Sequence, residues 1–165
     1  SGSGARATTR SKRGKRTQGQ HGDIAAVSPE GEPLSDLLTI EAKRGYSKHT
    51  IHDLLDRGGG AAIQKYEEFF HQTMAAFEES GSYAWMLITR RDQRHAMCFF
   101  PQYLLKDLKR IGAFNDTPPV PFISTRLYIR NASKNGNCYP VCGMLLQEFF
   151  DSVTPAQVIK LTEQV

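Results

Sequence analysis

Leu37-Leu38-Thr39-Ile40-Glu41-Ala42-Lys43 is the stretch that decides the fold. A run of strand character passes without a break into a carboxylate and an ammonium two residues apart. Consecutive strand residues point to opposite faces, so Glu41 and Lys43 share one face about 6.5 Å apart, at roughly 3.3 Å rise per residue. Ala42 turns its side chain toward the core and leaves its carbonyl at the rim. Upstream, Gly22-Asp23 heads a second apolar run, Ile24-Ala25-Ala26-Val27, and Ser28-Pro29-Glu30-Gly31-Glu32-Pro33 reads as a turn between the two. An antiparallel hairpin follows, in which the start of the first strand lies beside the end of the second and Asp23 meets Glu41.

Two converging carboxylates and a backbone carbonyl make an all-oxygen site. Such a site suits Mg²⁺, with Mn²⁺ as a substitute, because the ion keeps several waters and accepts one or two carboxylates plus a phosphate. An adjacent ammonium steadies phosphate charge or polarises the attacking water, the arrangement needed for metal-assisted phosphodiester hydrolysis.

An Asp at the head of one strand and Glu-x-Lys near the end of the next resembles the PD-(D/E)XK nuclease superfamily, over roughly residues 19–45 and in element order to about Pro101. The resemblance implies an α/β fold, a central mixed sheet flanked by helices with a restriction-endonuclease-like core. It also implies roles: Asp23 and Glu41 as catalytic metal ligands with the Ala42 carbonyl, and Lys43 as the catalytic ammonium. Gly22 stands where the family carries Pro, a change that looks chemically minor. Family members carry a helix and a first strand before the Asp-bearing strand, and neither is legible here. The opening Ser1-Gly2-Ser3-Gly4-Ala5-Arg6 resembles the Ser/Gly loop after that strand in Holliday-junction-resolvase-like members, which implies that the chain begins inside the fold; an added linker is the alternative reading.

The formal charge of +4 over 165 residues conceals an asymmetry. Arg6, Arg10, Lys12, Arg13, Lys15 and Arg16 give residues 1–22 a charge of +6 with no acid, and the remainder carries −2. Diluted by Gly, Ser, Thr and Gln, this segment cannot bury a core and reads as a basic flexible arm or loop for nucleic-acid phosphates, with Arg44 and Lys48 extending it past the site. A solubilising tail is the plainer reading of the same composition. Residues 23–165 then form a single α/β domain, core about 23–101 and C-terminal elaboration 102–165. No run of 18 apolar residues and no signal-peptide core occurs, so no membrane association is expected. Cys98, Cys138 and Cys142 cannot all pair internally, which fits a reducing cytoplasm, in a bacterial or phage-infected cell. His95 with these cysteines has the wrong spacing for a zinc site.

Further along, Ser47 reads as the cap of a helix through Asp56. Ile63, Tyr66, Phe70, Met74 and Phe77 stripe a stronger helix over 61–80, with Glu67, Glu68, Glu78 and Glu79 off the stripe. Residues 83–89 read as a strand covered on both faces, joined through Arg90-Arg91-Asp92-Gln93 to a strand over 94–100. A helix over 102–111, a strand over 122–130, helical spacing over 144–153 and a Thr154-capped helix over 156–164 complete the chain. Among candidate proton carriers His21 comes first, ahead of His49, His52 and His71, and Gln64 is a polar candidate for the cleavage site. The Arg126/Tyr128/Arg130 face is a candidate DNA contact.

The function expected from these residues is an Mg²⁺-dependent endodeoxyribonuclease, selective for branched DNA such as a Holliday junction, working as a homodimer because two strands need two sites. The alternatives are a restriction-type or transposon-end nuclease, an RNA-processing nuclease, and a nucleic-acid-binding protein that has lost catalysis.

Overall fold

The computed structural model describes residues 22–24, 26, 28–57, 62–115, 120–131 and 135–165. The basic residues from Arg6 to Arg16, and His21, lie outside them. Among the described residues five strands form one mixed sheet: β1 (Leu38–Arg44), β2 (Ala84–Arg90), β3 (Met97–Pro101), β4 (Phe122–Arg130) and β5 (Gly136–Leu145), in the order β1-β2-β3-β5-β4. The helices are α1 (Glu32–Leu37), α2 (Lys65–Ser80), α3 (Gln102–Arg110), α4 (Leu146–Ser152) and α5 (Pro155–Gln164). β1 and β2 are parallel, and parallel neighbours need a long crossover, which α2 supplies. The other pairings are antiparallel.

The alternation of β1 sorts the layers. Leu38 and Ile40 point to one face, where they meet Met86, Cys98, Phe100 and Met144 and are covered by Leu104 and Leu108 of α3, Phe149 of α4 and Leu161 of α5. Trp85, Leu87, Phe99, Leu127 and Ile129 point to the other, under Tyr66, Phe69 and Phe70 of α2. Burying the large side chains of both faces, at about 1.5–3 kcal/mol each, is the main force holding the three layers together.

Several expectations fail locally. The described residues 24 and 26 lie in no strand, and no antiparallel hairpin pairs the described residues with β1. Instead Gly22 bridges Ile40 in parallel sense, and the expected turn becomes a 3₁₀ turn, Pro29–Gly31, running into α1. Pro29 and Pro33 each fall in the first turn of their helix, where the missing N–H costs nothing. Ser47 caps nothing. Its hydroxyl donates to Asp92 Oδ2 at 3.0 Å, and Thr50 instead opens a single 3₁₀ turn, Ile51–Leu54. β5 is a full strand whose last two residues fall in the span, 144–153, that reads as helical. Its Gly136, Pro140 and Gly143 are poor strand formers, yet Gly143 is required: a Cβ there would sit 2.8 Å from the Phe99 ring.

Glu67, which lies off the apolar stripe in the sequence, is fully buried. Its carboxylate accepts from Arg57 Nη1 at 2.6 Å, Arg130 Nη2 at 2.9 Å, the Arg130 backbone N–H at 2.7 Å and the Gln64 backbone N–H at 3.0 Å. It therefore caps α2 while tying the 3₁₀ turn and β4 to that helix. Arg130 is thus committed to the fold, and only Arg126 and Tyr128 of the proposed DNA-contacting face are exposed. Burial alone would raise the Glu67 pKa, but the bonds from Arg130, Gln64 and Arg57 outweigh it and hold it at about 2, below the ordinary 4.5.

A depressed carboxylate contributes stability above the unfolded-state pKa and loses it as pH falls through the folded one. Wild type should lose stability between pH 4.5 and about 2, the window set by Glu67. Glu67→Ala should cost about 3–5 kcal/mol at neutral pH, the usual cost of breaking a buried pair, and should flatten that acid dependence. Denaturant unfolding at pH 7 and at pH 3 measures both.

Candidate metal and phosphodiester site

β1 is an edge strand, so its outer N–H and C=O groups are open to another segment. Residues 22 and 23 take part of that edge: the Asp23 N–H donates to the Ile40 carbonyl at 2.8 Å, and the Asp23 carboxylate accepts from the Ala42 N–H at 3.0 Å. Asp23 therefore reaches the end of β1 by a route other than the expected hairpin. Gly22 makes the route possible, because its φ is +88° and a Cβ would lie 2.5 Å from the Ile40 oxygen. Proline, confined to φ near −65°, cannot occupy this position, so the Gly for Pro exchange is a backbone requirement and not a neutral change.

Glu41 and Lys43 share the α2 face of the sheet as the alternation demands, with Lys43 Nζ 3.6 Å from Glu41 Oε2. The Asp23 carboxylate lies within hydrogen-bonding reach of Glu41. Burial first, then the hydrogen bond and negative charge of Asp23, push Glu41 up to about 7 from 4.5, against the opposing pull of Lys43. Two like charges this close disfavour the ionised form of Glu41, and a bound cation would relieve that cost. Ala42 is exposed, since β1 outruns the core at this end, which corrects the expectation of a core-facing methyl. In an extended strand the N–H and C=O of one residue leave on the same side, so the Ala42 carbonyl leaves on the edge where Asp23 sits.

Asp23, Glu41, Ala42 and Lys43 thus come together. Among the described residues no group of three or more His, Cys, Asp and Glu side chains gathers to hold a metal. The donor set is two carboxylates and a carbonyl, all hard oxygen. It fits an ion that retains water, as Mg²⁺ does, and does not fit zinc. Cys98 and Cys142 are buried and Cys138 is exposed, all three unpaired.

The other candidates disperse. Arg44 is exposed and alternates to the opposite face from Lys43, and Lys48 is exposed on the following loop. His49 pairs with Asp53 at 3.8 Å, and His52 and His71 are exposed. Gln64 is the N-cap residue of α2. Sequence reasoning gave Arg91 and Arg94 no role and weighed His95 only as a zinc ligand; all three lie in the β2–β3 turn. The signal was the density of basic residues immediately after a strand that runs parallel to the Glu41 strand.

In comparisons with protein-family models, curated proteins and solved structures, nothing matches this chain. No helix among the described residues is long and apolar enough to cross a membrane.

A carboxyl whose pKa is raised on folding stabilises below the unfolded value and loses that contribution as pH rises through the folded one. In metal-free protein Glu41 should titrate near 7 and its contribution should fade from pH 4.5 to 7. Asp23→Asn should return the midpoint toward 4.5, read by carboxyl-carbon NMR. Gly22→Ala, which forces residues 22 and 23 off the strand edge, should produce the same direction of shift with Asp23 still present.

Proposed function

We propose that this protein is a metal-dependent endonuclease that hydrolyses DNA phosphodiester bonds, with a restriction-endonuclease-like core and a preference for branched DNA. The observation that carries this reading is the meeting of Asp23, Glu41 and Lys43 at the exposed end of an edge strand, two carboxylates in mutual reach and an ammonium 3.6 Å away. The likeness of the Glu41-Ala42-Lys43 strand end to the PD-(D/E)XK pattern supports it, as does the β1-α2-β2 crossover that holds that strand end at the sheet edge. Bound Mg²⁺ would supply a water of lowered pKa and neutralise charge on the phosphate.

The chain's own residues do the remaining work. Asp23 and Glu41 would hold the ion through their carboxylate oxygens. The Asp23 carboxylate is held in place by the Ala42 N–H, so little ordering remains to be done when ligand arrives. Lys43 holds its ammonium against Glu41, from where it orients the attacking water or stabilises phosphate oxygens. Because cleaving two strands needs two such sites, a homodimer belongs to the same proposal.

The test uses labelled four-way junction, flap, linear duplex and single-stranded DNA with Mg²⁺. Lys43→Ala should lower turnover about 10²–10³-fold, the usual loss for one charge-stabilising group, with DNA binding retained. Equal cutting of junction and duplex would remove the branched-DNA preference. Preferential cutting of RNA would reassign the substrate, and binding without any metal-dependent cutting would contradict the hydrolase reading.

A further inference from the structure

The row of side chains that begins at Glu41 and Lys43 does not end at the edge of β1. Register places Lys43 beside Thr89 and Thr89 beside Met97, so these three lie in line across β1, β2 and β3 on the α2 face, at about 4.8 Å per strand. The line leads into a cleft of about 430 Å³, a size within the roughly 300–1,000 Å³ of small-molecule sites. Its floor is Tyr66, Met97 and Phe99, with the Tyr66 hydroxyl donating to Thr89 Oγ1 at 3.2 Å. Its rim is Arg91, Arg94, His95 and His52, and none of the lining residues is acidic.

Two features set these arginines apart from an ordinary solvated turn. Among the described residues neither guanidinium forms an ion pair, whereas Arg57 and Arg130 are committed to Glu67. The turn itself is fixed: the Arg94 N–H donates to the Arg91 carbonyl at 3.2 Å, and Asp92 is tied to Ser47 by two bonds of 2.9 and 3.0 Å. Asp92, the one acid in the turn, is thereby directed to the loop after β1. Two guanidiniums free of ion pairs, carried on a fixed turn beside an apolar floor, match a phosphate attached to something flat and partly apolar.

We propose that this cleft holds one nucleotide of the strand bound at Glu41 and Lys43, its phosphate between Arg91 and Arg94 and its sugar and base against Tyr66, Met97 and Phe99. The proposal rests on the nucleic-acid reading of the neighbouring carboxylates, and it supplies a fixed grip beside the reacting phosphate, separate from residues 1–22. That nucleotide and the reacting phosphate then lie on one continuous sheet face.

The test is fluorescence anisotropy of the full chain with labelled single-stranded and four-way-junction DNA, without divalent metal, across a salt series. Arg91→Ala/Arg94→Ala should bind about tenfold or more weakly and lower the slope of log K against log salt by about 1, as loss of one phosphate contact does. Lys160→Ala, an exposed charge on α5, serves as the control and should change neither. Thermal unfolding of the double variant should match wild type, since neither arginine side chain is paired. Unchanged affinity and slope in the double variant overturn the cleft proposal, whether or not wild type cuts DNA. Weakened binding by the double variant with no Mg²⁺-dependent cutting by wild type would sustain the cleft and sink the hydrolase reading. Binding of an acidic peptide in place of DNA, lost in the same variant, would overturn it in favour of a protein partner.

Discussion

The pair of hydrogen bonds that fastens Asp23 to the open edge of β1 is the constraint on which the site depends. One bond, from the Asp23 N–H to the Ile40 carbonyl, sets where the residue sits along the strand. The other, from the Ala42 N–H to the Asp23 carboxylate, sets where its charge points. Without them Glu41 and Lys43 would be a half-buried ion pair with no second carboxylate beside it. With them Glu41, already raised by burial, acquires a second carboxylate at close range, and the two effects carry its pKa to about 7. The edge position of β1 is what allows this, because an interior strand has no spare N–H to offer.

The rest of the fold holds that edge still. β1 is locked to β2 over its whole length, and α2, which crosses between them, is anchored at its start by Glu67. The same carboxylate reaches Arg57 and Arg130, so the 3₁₀ turn after β1 and the far strand β4 answer to one buried charge. The Ser47–Asp92 contact joins the two loops at the ends of β1 and β2. The carboxylates and the basic turn are therefore parts of one rigid sheet end.

Much of the fold was legible because it rests on periodicity. The α2 stripe, the buried β2 run and the Thr154 cap of α5 occur where spacing placed them. Glu41 and Lys43 share a face because alternation is geometry and not context. Asp23 was rightly brought to Glu41 but through the wrong pairing, since a glycine at positive φ and two helix-starting prolines redirect the chain in ways that hydrophobic pattern does not encode. β5 was hidden because its glycines answer to Phe99 and Arg130, neighbours distant in sequence. Glu67 was hidden for a similar reason: nothing local distinguishes a glutamate facing water from one that meets two arginines brought by tertiary packing.

The most direct measurement is Mn²⁺ binding, followed by electron paramagnetic resonance or calorimetry, for wild type, Asp23→Asn and Glu41→Gln. One ion per chain in wild type, with affinity lost in each single variant, is the predicted result, because both carboxylates are required to hold the same ion. Affinity that survives either substitution would mean that Asp23 and Glu41 do not act together, and the proposed site would be wrong.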